Sequence, residues 1–144
     1  MKVYRASRDV LLPMLIAFSC AIIAKAVFFD VMIAEGQSME PRIPAGTVIL
    51  VNRLAYGLRL PFASRYLIRW AEPMADDILV FLAPDGRYAV KRCILSWRDQ
   101  SPLYDTPSEG FILVHGDNSV VSWDSRSYGP VSIEAVHGRL VGFR

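Results

Sequence analysis

Lysine is scarce in this chain of 144 residues. Of its sixteen basic residues thirteen are Arg, and the three Lys are Lys2, Lys25 and Lys91. Lys2 and Lys25 flank an apolar N-terminal segment, so Lys91 is the only lysine in 30–144. Cysteine is almost as rare. Cys20 lies in the apolar segment and Cys93 in a predicted strand, so no bridge is expected and both read as free, buried thiols. The two histidines, His115 and His137, form no Cys/His cluster with metal-ligand spacing, so neither a metal nor another cofactor is called for. A net charge of only +2 argues against a nucleic-acid partner. There is no internal repeat, no low-complexity tract and no long helical periodicity beyond residue 30. Acid is missing from Pro41–Ala71, where Arg42, Arg53, Arg59, Arg65 and Arg69 alternate with Tyr56, Phe62, Tyr66 and Trp70. Such a stretch suits single-stranded nucleic acid, lipid headgroups or an ordinary Arg-rich loop. Beside a membrane span, headgroup contact is favoured over nucleic acid, and the ordinary loop stays equally open.

The hydrophobic content of 53% is concentrated near the N-terminus. Residues 1–9 carry Lys2, Arg5 and Arg8 against Asp9, and Val10 to Ala24 is uncharged. Counted to Phe29 this is a run of about 30 Å as helix, long enough for a bilayer core. The predicted organisation is a cytoplasmic basic N-terminus (1–9), a transmembrane anchor (10–29) and an extracytoplasmic domain (30–144). A cleavable leader ending at Ala24-Lys25-Ala26 is the competing reading, and both place the remainder outside the cytoplasm. A membrane lipid partner follows from the anchor.

Beyond the span the pattern is mostly β. Strands are expected at Val27–Ala34, Thr47–Val51, Asp77–Leu82, Arg87–Leu95, Gly110–His115 and Gly138–Phe143. Ala83-Pro84-Asp85-Gly86 forms a hairpin turn between the third and fourth, and Trp97–Glu109 is a connecting loop. Lys91 falls inside Tyr88–Leu95, which reads as a buried strand. An ammonium in a dry strand is costly unless it is neutral or paired. A neutral lysine is a general base, and a serine hydroxyl requires one near neutral pH. The polar break Gly36-Gln37-Ser38-Met39-Glu40-Pro41 offers such a serine. A third stretch, Gly116–Gly129, lacks hydrophobic periodicity and places Asp124 two residues from Arg126, an expected loop-fixing ion pair.

Together these segments resemble the bacterial type I signal peptidases. The resemblance rests on Ser38-Met39, Lys91-Arg92 and Gly116-Asp117-Asn118 followed by Ser122-x-Asp124-Ser125-Arg126-x-x-Gly129, in that order. Asn52-Arg53-Leu54-Ala55-Tyr56-Gly57 resembles a further family segment, and the likeness covers roughly residues 10–143. It implies a signal-peptidase-like β domain on one N-terminal transmembrane helix, in the bacterial cytoplasmic membrane. The implied activity is a serine endopeptidase that cleaves A-x-A signal peptides from exported preproteins.

By the resemblance Ser38 is the nucleophile and Lys91 the base. Ser122 orients the lysine amine, and Asp124 with Arg126 braces the loop. Ala34, Met39 and Val90 contact substrate, and the Ser38 backbone N–H serves the oxyanion. Gly36 stands where a second, hydroxyl donor is often found, so that donor is open. Only 24 residues separate Lys91 from Gly116, where larger members insert a second domain, so a minimal catalytic core is expected. Alternatives are a dedicated maturation peptidase of a conjugation or secretion system and a non-enzymatic membrane-anchored β module. A self-cleaving repressor would need a DNA-binding domain where the apolar segment stands.

Overall fold

The computed structural model describes residues 3–60, 63 and 65–143. Its first element is helix α1, Val3–Phe28. Strands follow at β1 (Phe29–Ala34), β2 (Thr47–Asn52), β3 (Gly57–Leu58), β4 (Ile68–Arg69), β5 (Ile78–Leu82), β6 (Tyr88–Ser96) and β7 (Phe111–His115). A one-turn helix α2 (Ser125–Tyr128), the short β8 (Val131–Ser132), a 3₁₀ turn (Ile133–Ala135) and β9 (Val136–Phe143) complete the chain. Seven strands form one antiparallel sheet in the order β1-β2-β9-β5-β6-β7-β8, and β3 pairs with β4 separately.

Register shifts at Leu50/Val51, Val80/Phe81 and Cys93/Leu95 interrupt the ladders. Each such bulge bends its strand and raises its twist, so the sheet curls and carries core on both faces. Strand β5 shows the consequence. Ile78 and Val80 pack with Ala34, Met39, Ile43, Ile49 and Val51, whereas Leu79 and Phe81 pack with Cys93, Ile112, Val114 and Val136. A strand buried on both sides must be apolar throughout, as Ile-Leu-Val-Phe-Leu is. The hairpin after it turns at Gly86, whose φ of 81° suits a residue without Cβ and whose amide donates to the Ala83 carbonyl.

Several expectations need correction. The helix runs on to Phe28, so the strand predicted from Val27 begins at Phe29. The anchor at 10–29 is not supported as a span: among the described residues no helix is long and apolar enough to cross a membrane. Cys93 is buried as expected, but Cys20 is exposed, because α1 makes its main described contacts with β1 alone. Lys2 and Phe62, invoked for orientation and headgroup contact, lie outside the described residues, as do the side chains of Arg5, Arg8, Asp9, Ala24 and Ala26.

The Arg-rich stretch is partly tied into the fold. A guanidinium nitrogen of Arg59 donates to the Glu134 carbonyl while its guanidinium sits 4.8 Å from the Tyr66 ring centre, and Arg69 pairs with Glu72 and Glu134. Tyr56 is buried and its hydroxyl donates to Asp77 at 2.7 Å. Those contacts need a partner 65 or more residues away for Arg59 and an acid outside the stretch for Arg69, so local composition could not show them.

Because Phe81 is fully buried at the centre of the sheet, Phe81→Ala leaves a large cavity. It is expected to lower unfolding stability by about 3–5 kcal/mol in denaturant titrations in detergent. A loss below about 1 kcal/mol would contradict this packing.

Candidate active site

Ser38 sits in the turn that follows β1. Two plugs hold that turn against the core, Met39 and Ile43, both buried, with the Ile43 amide donating to the Met39 carbonyl at 2.9 Å. The Gly46 amide donates back to the Ala34 carbonyl at 2.7 Å, closing the loop on the end of β1. Lys91 lies mid-way along β6 opposite Leu79 of β5, and only 5% of it is exposed. Its Nζ lies 2.6 Å from Ser38 Oγ. Burial lowers the Lys91 pKa from the ordinary lysine value. Asp124 opposes that shift and Arg126 adds to it.

The Gly116–Gly129 segment closes the site from the β7 side. The Asn118 amide donates to the Ser38 carbonyl at 2.9 Å, and the Gly116 amide to Asp124 Oδ2 at 2.9 Å. A Cβ on Gly116 would lie 2.2 Å from Ser122 Oγ and 2.5 Å from the Ser38 carbonyl oxygen, so only glycine lets the two serines converge here. Asp124 is fully buried and caps α2. Burial by itself raises its carboxyl pKa, but hydrogen bonds from Arg126, Ser122 and the Gly116 and Arg126 amides hold it far below the usual carboxylate range. The expected Asp124–Arg126 ion pair is thus present, with Arg126 Nε 2.9 Å from Oδ1.

Ser122 is placed differently from what the resemblance implied. Its hydroxyl donates to Asp124 Oδ2 at 2.5 Å, and the hydrogen bond of Lys91 Nζ is to Ser38. Ser122 therefore belongs to the braced loop rather than bonding the amine directly. Arg92, next to Lys91, makes a two-pronged ion pair with Asp117 (2.9 and 2.7 Å) that ties β6 to the same loop. Sequence reasoning missed this tie and the role of Gly116, although both residues stand in the quoted motifs.

A cleft of about 200 Å³ opens beside Ser38, lined by Ala34, Glu35, Gly36, Ser38 and Met39 on one side and by Tyr88–Lys91 on the other. Ala34, Met39 and Val90 all reach it. The space where a Gly36 side chain would stand is empty to 4 Å, and no hydroxyl fills it. Larger hollows of about 550 and 640 Å³ lie at Arg69–Met74 with Ser96, Arg98 and Asp99, and at Arg42, Asp76–Ile78 and Arg139–Phe143. Both hold ion pairs, Arg69 and Arg98 with Glu72 in the first and Arg139 with Asp77 in the second, but no serine–lysine contact. His115 stacks edge-on against Tyr104, and His137 bonds Asp30.

A buried lysine amine at hydrogen-bond distance from a loop serine is the decisive geometry, and residues 7–95 and 99–143 match the family described as signal peptidase, peptidase S26. The chain belongs to that family. Among similar proteins, a signal peptidase I of Pseudomonas fluorescens is 40% identical over 47 residues, 33% of this chain but only 16% of that relative. A signal peptidase I of Bacillus caldolyticus is 27% identical over 89% of this chain and 86% of its own length. The mitochondrial inner membrane protease subunit 1 of Xenopus tropicalis is 30% identical over 77% of this chain and 66% of its own. In this member of the family, then, serine and lysine come from a turn and a strand 53 positions apart.

The depressed Asp124 carboxyl carries a pH signature. Because its folded pKa lies below its unfolded value of about 3.9, its stabilisation is complete above that value and is lost as pH falls toward the folded one. Asp124→Asn is therefore expected to melt below the parent at pH 7, with the gap closing in strong acid. A gap that stayed constant from pH 7 to pH 2 would contradict this.

Proposed function

We propose that this chain is a membrane-bound serine endopeptidase that removes signal peptides from exported preproteins through a Ser38–Lys91 dyad. The observation that carries the reading is the 2.6 Å Nζ–Oγ contact at the end of the cleft, with the lysine almost wholly buried. Strand β1 ends the sheet, so its outer edge can take an extended peptide by strand addition, with Tyr88–Lys91 forming the opposite wall. The small cleft suits the small side chains of an A-x-A site, with Ala34, Met39 and Val90 in contact with them.

Lys91, neutral because it is dry, takes the Ser38 hydroxyl proton as Oγ attacks the scissile carbonyl. The oxyanion develops toward the Ser38 N–H, and with glycine at position 36 no side-chain hydroxyl joins it from there. The lysine ammonium then protonates the leaving amine, and the neutral amine activates the water that releases the acyl group. Ser122, Asp124 and Arg126 hold the loop whose Asn118 amide bonds the Ser38 carbonyl.

The membrane reading rests on exposed apolar surface. Val10, Leu11, Leu12, Met14, Leu15, Ile16, Phe18, Ile22 and Ile23 of α1 are all exposed, and the main contacts of α1 among the described residues are with β1. The outer face of β1-β2-β9 continues this surface with Phe29, Val31, Ile33, Val48, Leu50, Val141 and Phe143. Surface of this extent is stable only when covered, and a bilayer covers it without a protein partner. The basic N-terminal residues favour a cytoplasmic N-terminus, residues 10–29 as the anchor and 30–144 as the extracytoplasmic catalytic part. The protein is expected to stay in the membrane pellet after alkaline carbonate extraction; release into the supernatant would sink the anchor.

Ser38→Ala and Lys91→Ala are each expected to remove cleavage of an A-x-A peptide by at least about a thousandfold without loss of fold. Cleavage by the parent should rise with pH through the depressed lysine value and remain high at pH 8–9. The same depression means that the folded state disfavours the Lys91 proton. Stability thus falls as pH drops through the unfolded lysine value, about 10.4, and on down to the folded one. Lys91→Met, apolar and of similar length, should then melt at or above the parent temperature at pH 7 while being inactive. A clear fall in melting temperature would mean a charged, paired lysine and end the neutral-base mechanism.

A further inference from the structure

One group of side chains beside the cleft has no part in the proton transfers. Tyr88 opens β6, lines the cleft and is 53% exposed. An aromatic ring this open is free to turn unless something holds it. His137 of β9 does so: the two ring centres are 4.9 Å apart at 57°, and His137 is only 8% exposed. Its Nε2 lies 3.0 Å from Asp30 Oδ2 of β1. A carboxylate only accepts, so the imidazole donates through Nε2–H, which fixes the ring's rotation as well as its place. Burial first of all lowers the His137 pKa, with the Asp30 hydrogen bond opposing and Arg53 adding, so the packed ring is the neutral one. Asp30, His137 and Tyr88 thus link three strands beside the end of the cleft remote from Ser38.

We propose that Tyr88 is the specificity-determining wall of the substrate cleft and that His137, tied to Asp30, is the positioning residue that holds its ring. The inference rests on the proposed function in taking the peptide segment before the scissile bond as the cleft's occupant. Tyr88 precedes Lys91 by three residues, about 10 Å along the strand. Side chains of an extended peptide alternate faces, so the residue beside the scissile bond and the third one before it share the cleft side. The third residue reaches the level of Tyr88. A ring clamped there leaves room for alanine or valine and excludes leucine or phenylalanine. A freed ring can swing aside and admit them.

The test uses the full chain in detergent and two peptides that differ only in the third residue before the cleaved bond, Ala or Leu. The parent is expected to prefer the Ala peptide at least about tenfold in kcat/KM, within the range a pocket gives for added methylenes. Tyr88→Ala and His137→Ala should each bring that preference to within about threefold, by lowering KM for the Leu peptide, and in His137→Ala kcat on the Ala peptide stays within about threefold of the parent. His137→Phe, which keeps a ring against Tyr88 but loses the Asp30 bond, should recover part of the preference. A parent-like preference in Tyr88→Ala overturns the proposal. So does an equal loss on both peptides in a folded His137→Ala, which would mark a purely structural residue. Peptide affinities of the Ser38→Ala form separate the two levels of argument. Discrimination in binding with no cleavage by the parent would sink the peptidase reading and keep the pocket. Cleavage of both peptides at equal rates by the parent would do the reverse.

Discussion

Moving an ammonium from water into the body of a sheet is unfavourable, and the whole site is arranged around that penalty at Lys91. The strand that carries it is flanked by β5 and β7, and its amine bonds the Ser38 hydroxyl. The nearest buried carboxylate, Asp124, is already committed to Arg126, Ser122 and two backbone amides. Had Asp124 been left unpaired, its charge would have favoured the protonated lysine and removed the base. The Arg126 guanidinium therefore serves the lysine at one remove, by neutralising the acid that the loop needs for its shape.

The same economy of space governs the approach of the serine. Turn, strand and loop come from three parts of the chain, and they meet where Gly116 has no side chain. The plugs Met39 and Ile43 fix the turn from below, while Arg92 and Asp117 clamp the loop to β6 from the side. A dyad of only two groups has no third residue to orient the base. Orientation must come from packing, and the buried surroundings of Lys91 supply both its low pKa and its fixed direction.

The apolar surface and the cleft beside Ser38 share strand β1. Its alternate residues Phe29, Val31 and Ile33 face outward, and Met32 and Ala34 face the core and cleft. Two-residue alternation thus lets one short strand carry an exposed apolar row and a row turned to core and cleft, and brings the cleft close to the apolar surface.

Much of this was legible in the amino-acid order. The β-rich pattern, the hairpin at Gly86, the isolation of Lys91 among apolar neighbours and the motif residues around Ser38 and Asp124 are local properties, and local chemistry states them directly. Other features depend on distant contacts. Helix α1 overran the expected strand start, since an apolar run fits helix or strand until its neighbours decide. The β3-β4 pair is too short to show a strand pattern, and the ties of Arg59 and Arg69 to Glu134 were hidden because their partner lies 65 or more residues onward. Ser122 turned to Asp124, a competition between two acceptors that no spacing resolves. By itself the sequence determined which residues could do chemistry, because a lone lysine in a dry strand leaves few other roles. Only the tertiary structure decided which atoms meet, because hydrogen bonding and burial depend on distances between strands that the chain order does not contain.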